Sequence, residues 1–214
     1  MLILQPLTEE TIALGIQELV SRDNDLAEII QTYGYPPNWI REKGFIGLIR
    51  IILGQQVSVA SANAIFKKLE LLVNPLTPEN FIRFDDSQLQ SAGLSRQKIV
   101  YTRALAAAIS SKQLDLDKLE LGDEATLRAE LTKIKGIGNW TVDIYLMMSL
   151  QRPDAFPASD LGVILAYQKL KDLPTRQTPQ QLEVIAEKWR PWRAIAIRIL
   201  WHYYLNKTTK VKSI

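Results

Sequence analysis

The chain reads as all-α on three grounds. Apolar residues recur at helical spacing along most of its 214 residues. Segment after segment opens on a Ser, Thr or Asp suited to cap a helix and closes near Gly or Pro. No stretch shows strand alternation, and there is no internal repeat or low-complexity linker.

The elements follow in order. In "TEETIALGIQELVSRDNDLAEIIQTYG", Ile12, Ile16, Leu19 and Val20, then Leu26, Ile29 and Ile30, mark two helical segments. Thr8 is the expected N-cap, and Gly34 before "YPP" the expected stop. "GFIGLIRIILGQQVSVASANAIFKKLELLV" starts almost wholly apolar, which predicts a buried helix over Phe45–Leu53. Gly54 interrupts it, and Ser58 caps a second helix to about Val73. "TPENFIRFDD" and "DSQLQSAG" read as short capped helices, and "SRQKIVYTRALAAAISSKQ" as a longer one with strong propensity. "DEATLRAELTKI" leads into a pair of glycines and "WTVDIYLMMSL" leaves it. "TPQQLEVIAEKW" and "PWRAIAIRILWHYYLN" follow, the latter with Trp192, Ile195, Ile199 and Tyr203 on one face. The basic end, "KTTKVKSI", is expected to fray.

Composition narrows the chemistry. The chain is 47% hydrophobic and 23% charged, ordinary for a soluble globular protein. With no cysteine, disulfides, thiol nucleophiles, Cys-ligated zinc and iron–sulfur clusters are excluded. A single histidine, His202, argues against a His-ligated metal or a His-based triad. The net charge of +3 permits a polyanionic partner without requiring one. "MLILQPLTEE" lacks the basic lead and long apolar run of a signal peptide, and no stretch approaches the roughly 20 apolar residues of a bilayer span. A cytoplasmic protein is expected.

The most informative stretch is "LTKIKGIGNWTVDIYLMMSLQRPDAFPASD", 131–160. "IKGIG" between helices places Gly136 and Gly138 in a tight turn that tolerates positive φ and close approach of a ligand to the backbone. The next helix presents its unpaired N–H groups and positive dipole end to an anion such as phosphate, with Lys133 and Lys135 beside it. On the glycines alone, a plain helix stop with no ligand stands equally well.

In company, the motif is specific. "LTKIKGIGNWTVDIYL" resembles the helix-hairpin-helix of the DNA glycosylase superfamily named for that motif and its Gly/Pro-rich loop ending in Asp, and "DAFPASD" resembles that loop. "ILGQQVSVASA", "AGLSRQK" and "PWRAIAIRILW" are similar to the 3-methyladenine DNA glycosylase II branch, in the family's order over about 35–205. Many relatives have Pro where this chain has Lys135, and some have two acids where it has Ser159–Asp160. No counterpart of the β-rich N-terminal domain of some relatives is present, which matches the compact helical members.

The resemblance implies a two-lobed helical fold with a cleft between lobes. One lobe would be 1–35 with 156–214, and the other 36–155, carrying the helix-hairpin-helix at 131–148. It implies removal of alkylated purines from double-stranded DNA, with Asp160, 22 residues after Gly138 (160 − 138), as the catalytic carboxylate. An N-cap ahead of "LGVILAYQKL" is the plain alternative for Asp160. Trp140 stands where bifunctional relatives carry a Schiff-base lysine, so a monofunctional enzyme without abasic-site lyase activity is expected. Trp140 and Trp201 would line the base pocket, with Phe45, His202 and Trp39 weaker members; for Trp140 and these three, packing is the competing role. Gln56 would fill the gap left by the flipped base, with Gln55 beside it and Leu94 as a second wedge; capping of helix ends is the alternative for the glutamines. Ser95, Arg96, Lys98, Lys135, Gly136, Gly138 and Thr141 complete the expected DNA contacts. No cofactor is required, although the hairpin of relatives often holds Na+ or K+ on backbone carbonyls, here of Thr132, Ile134 and Ile137. A monomer, cytoplasmic or nucleoid-associated, or nuclear in a eukaryote, is expected. Excision of hypoxanthine or etheno adducts, a non-catalytic DNA-binding module, and a lyase using another lysine are the rivals.

Overall fold

The computed structural model describes residues 6–209. In chain order the helices are α1 (Glu9–Arg22), α2 (Asn24–Tyr33), α3 (Gly44–Gly54), α4 (Val59–Leu72), α5 (Pro78–Phe81), α6 (Asp86–Ser91), α7 (Arg96–Ser110), α8 (Leu116–Leu121), α9 (Glu124–Leu131), α10 (Asn139–Met148), α11 (Leu161–Leu170), α12 (Pro179–Ala186) and α13 (Arg193–Thr209), with a 3-10 turn at Glu187–Trp189. No strand occurs among the described residues. None of their helices is long and apolar enough to cross a membrane. The chain is all-α.

Two compact units divide it. Residues 6–40 with 151–209 form one, and Arg41–Leu150 the other. The breaks fall at 40/41 and 150/151 rather than the expected 35/36 and 155/156, because the segment after the proline pair and the whole 151–160 loop pack with α13.

In the discontinuous unit, α13 runs through the core against α1, α2 and α11. The expected stripe is buried, and so are Ala194, Ala196, Ile197, Arg198 and Leu200, so this helix is covered nearly all round. Arg198 is held inside: its guanidinium donates to Asn38 Oδ1 at 2.8 Å and Gln151 Oε1 at 2.9 Å. Burial pushes its pKa down to about 10, so it remains a cation at neutral pH. Thr8 caps α1 reciprocally with Thr11. Asp23 caps α2 through the N–H groups of Asp25 and Leu26, and its other oxygen accepts from Trp189 Nε1 at 2.7 Å and Lys188 Nζ at 2.8 Å. The basic end continues α13 to Thr209, and the rest of the expected frayed tail lies outside the described residues.

In the continuous unit, α3 is the centre, packed against α4, α7, α8 and α10. Phe45, Leu48, Ile49, Ile51, Ile52 and Leu53 are all buried, each large side chain contributing about 1.5–3 kcal/mol relative to exposure. Ser58, Thr77, Asp85, Ser95 and Asp123 cap the helices that follow them, as the Ser/Thr/Asp pattern requires. Helix α8, capped by Asp115, lies outside the segments read from the sequence. It is nonetheless tied in: Gly44 N donates to Glu120 Oε1 at 3.0 Å and to Tyr145 Oη at 2.6 Å, while Tyr145 also donates to Glu120.

Candidate functional site

Two constellations carry chemistry, one in each unit. The first is the hairpin between α9 and α10. Thr132 closes α9, Ile137 N donates to Ile134 O at 3.0 Å, and Gly136 takes φ +92°. That angle suits glycine, and a second constraint coincides with it. A Cβ built on Gly136 would lie 2.1 Å from Cγ of Tyr101, whose ring covers the residue. Gly138 differs from expectation: with φ −102° and ψ 179° its backbone is extended, so positive φ does not explain it. It is exposed, with open space where a Cβ would stand, and it begins α10 with no side-chain cap. The first-turn N–H groups of α10 thus point out at the positive end of the helix dipole. Lys133 pairs with Glu130 at 2.6 Å, and Lys135 stands exposed on the turn.

The hairpin forms one wall of a cavity of about 570 Å3. The α3–α4 turn (Gln55, Gln56, Val57) and the start of α7 (Ser95, Gln97, Lys98, Tyr101) form the others. Gln56 is exposed at φ 57°, a left-handed conformation that aims the tip of the turn outward. Gln55 is half-buried, and its Nε2 donates to Gly136 O and Thr141 Oγ1, both at 3.0 Å. It braces the hairpin against the end of α3. Ser95 is exposed and caps α7.

Four expected contacts are corrected. Thr141 is only 1% exposed, and its side chain serves as the acceptor for Gln55. Lys98 is 8% exposed and donates its ammonium to the Leu53 carbonyl at the end of α3, and burial pushes its pKa down. It neutralises a helix C-terminus and is not an exposed phosphate contact. Leu94, 3% exposed, belongs to the core of its unit and cannot project as a second wedge. Phe45 is likewise buried, edge-on to Phe81 at 6.1 Å between ring centroids. All four side chains are taken up within their own unit.

The second constellation surrounds Asp160. The carboxylate caps α11, with Oδ1 accepting from Val163 N at 3.0 Å and from the indole Nε1 of Trp201 at 2.9 Å. The N-cap alternative is therefore real, and it does not compete with reactivity. Two donors on one oxygen hold the group in place. Gly162 makes the arrangement possible: a Cβ there would stand 3.1 Å from Oδ1 and 3.4 Å from the Trp201 ring. Trp201 is half-buried, and Trp39 meets it edge-on at 6.0 Å. His202 faces elsewhere, its Nε2 donating to Tyr33 O at 3.0 Å and its Nδ1 accepting from Asn206. Both ring nitrogens are thus engaged within its own unit. Trp140 is half-buried in the first turn of α10.

Among the described residues, no group of three or more His, Cys, Asp or Glu could hold a metal ion. Tyr101 and Gly162 escaped the sequence reading, since each acquires its role from a partner distant along the chain.

Comparison with known proteins places these features in context. Residues 49–191 match the family described as HhH-GPD superfamily base excision DNA repair protein. A DNA-3-methyladenine glycosylase from Schizosaccharomyces pombe is 33% identical over 88% of this chain and 84% of its own length. One from Saccharomyces cerevisiae is 26% identical over 94% and 82%. Among solved structures, the S. pombe 3-methyladenine DNA glycosylase in complex with abasic DNA superposes with a TM-score of 0.81 at 32% identity, covering 92% of this chain and 96% of that one.

Proposed function

As a member of the HhH-GPD superfamily of base excision DNA repair proteins, we propose, the chain works as a DNA-3-methyladenine glycosylase that hydrolyses the N-glycosidic bond of alkylated purines in double-stranded DNA. The observation that carries the reading is the Asp160 carboxylate, held by Trp201 and the α11 N-terminus, within a family of base excision enzymes.

The chemistry asks for one anion. When a purine is alkylated at a ring nitrogen it is already cationic, so it leaves with the bonding electrons as a neutral base. C1′ then gains oxocarbenium character, and a fixed carboxylate stabilises that charge. Water adds to C1′, its oxygen forming the new bond and its proton passing to Asp160 or solvent, which leaves an abasic site. Because Trp201 and the Val163 N–H hold Oδ1, no reorganisation is required as charge develops. An indole at position 140 offers no amine for a Schiff base, so the reaction stops at hydrolysis without strand cleavage. Trp201 is the ring proposed to receive the flipped base, with Trp39 beside it.

On the other unit, the uncapped N-terminus of α10, Gly138 and Lys135 hold a backbone phosphate, and Gln56 fills the space the base vacates. A Na+ or K+, if bound, would be held by backbone carbonyls of the hairpin. Thr132, Ile134 and Ile137 all line the cavity, and the Ile134 carbonyl, which accepts from Ile137 N, keeps a second lone pair. Such an ion would brace the turn.

The test is Asp160→Asn on methylated duplex DNA. Base release in single turnover is expected to fall by at least about 100-fold, with binding of an abasic-site duplex retained. Release at the parental rate by the variant would refute the assignment. Borohydride treatment is expected to trap no covalent adduct with the parent enzyme, and a trapped adduct would overturn the monofunctional reading.

A further inference from the structure

We infer that Arg193 is a positioning residue for Asp160, acting through Asp154; the inference rests on the proposed role of Asp160. The loop 151–160 has no helix or strand of its own, yet Pro153 and 155–158 are buried. Something must fix its path. Arg193, in the first turn of α13, grips it with a planar fork: Nε donates to Asp154 Oδ1 at 2.8 Å, and Nη2 donates to Oδ2 at 2.8 Å and to the Asp154 carbonyl at 2.9 Å. Arg190 adds a second guanidinium to the same carboxylate. Next to this grip, Ala194 N donates to Pro153 O at 2.9 Å, and the Arg193 guanidinium stands 5.7 Å from the ring centroid of Phe156.

The far end of the loop is attached to the same helix, through Trp201 and Asp160 Oδ1. Arg193 and Trp201 are eight residues apart (201 − 193), about 12 Å along the helix and about 80° apart around it. One rigid element therefore carries both anchors. The loop between Asp154 and Asp160 is strung across them, and the latch at Asp154 decides where the catalytic carboxylate arrives. This gives a purpose to the first arginine of "PWRAIAIRILW", whose role the family resemblance leaves open. Both fork donors lie in one plane on a bidentate acceptor, a geometry that lysine cannot reproduce.

A plain structural ion pair would also stabilise the unit, so the test must separate the two. Variants Arg193→Gln, Arg193→Lys and Asp154→Asn are compared with Asp25→Asn, which cuts the 2.5 Å Lys171–Asp25 pair in the same unit. Asp154→Asn keeps the shape of the side chain and the carbonyl contact, and so serves if Arg193→Gln does not fold. Three quantities are read: the single-turnover rate of base release, the Kd for an abasic-site duplex, and the 1H–15N indole resonance of Trp201, assigned with Trp201→Phe.

The latch predicts that Arg193→Gln and Asp154→Asn slow release by about 10-fold or more, as sub-ångström misplacement does, with Kd within about twofold of the parent. Arg193→Lys is expected to stay closer to Gln than to the parent. The Trp201 resonance should move toward its position in Asp160→Asn, whereas Asp25→Asn leaves both resonance and rate at parental values. Parental release rates in an active enzyme, or a slowing that Asp25→Asn matches, would overturn the inference. If the parent itself released no base, the proposed function would fall, and an unmoved Trp201 resonance in Asp154→Asn would still defeat the latch separately.

Discussion

Replacing Gly136 with alanine tests the hairpin most sharply, because the structure charges the substitution twice. The backbone at φ +92° is unfavourable for any residue with a Cβ, at about 1–2 kcal/mol. The new methyl would also stand 2.1 Å from Tyr101 Cγ, where ordinary contact begins at 3.4 Å, so the ring must retreat by 1.3 Å (3.4 − 2.1). Overpacking of that kind costs about 1–3 kcal/mol. Together the loss is about 2–5 kcal/mol, large beside a typical stability of about 5–15 kcal/mol. The two charges separate in a double-mutant cycle. In a Tyr101→Ala background only the backbone share should remain, which leaves a coupling of about 1–3 kcal/mol. Urea unfolding followed by circular dichroism measures the stabilities, and fluorescence anisotropy with an abasic-site duplex measures the hairpin's grip. Gly136→Ala is expected to weaken DNA binding as well, because a displaced turn misaligns the first N–H groups of α10. If Gly136→Ala and Tyr101→Ala prove additive within about 0.5 kcal/mol, the close ring contact does not constrain the turn and the reasoning fails.

Two further outcomes follow from the electrostatics. At Asp23, burial raises the carboxyl pKa, but hydrogen bonds from Lys188, Trp189 and the Leu26 N–H outweigh it and leave the net value lowered. A depressed carboxyl contributes stability that is full above the unfolded pKa of about 3.9 and vanishes as pH falls through the lower folded value. The difference in urea midpoint between the parent and Asp23→Asn should therefore hold from neutral pH down to about 5 and shrink below about 4; a difference that grows in acid contradicts the sign. For the lysines, Lys135→Ala should lower the salt dependence of DNA binding by about one unit of slope with no change in stability. Lys98→Met should leave the slope alone and lower the urea midpoint, since it strips a partner from the Leu53 carbonyl.

Much of this molecule is legible from residue order. Caps at Thr8, Ser58 and Ser95 and the apolar run of α3 act within a turn or two of their own position, so local pattern identifies them. The hairpin and Asp160 are also legible, because motif spacing along the chain reflects a local strand of contacts: a helix, a turn, a helix and a loop. The expected DNA contacts at Leu94, Lys98 and Thr141, and the pocket role of Phe45, went the other way. Each is a residue type that serves a surface or a core equally well, and exposure is decided by which helices pack over it.

The sequence by itself determined the helices, the glycine turn and the acid that opens α11, since these depend on neighbours within a few residues. Tertiary structure alone decided how that acid is held. Trp201 reaches Asp160 across 41 residues, Arg193 reaches Asp154 across 39, and Tyr101 covers Gly136 from α7. Hydrogen bonds and ring contacts at such separations carry no periodic signature, because they exist only once helix packing has brought their atoms within a few ångströms.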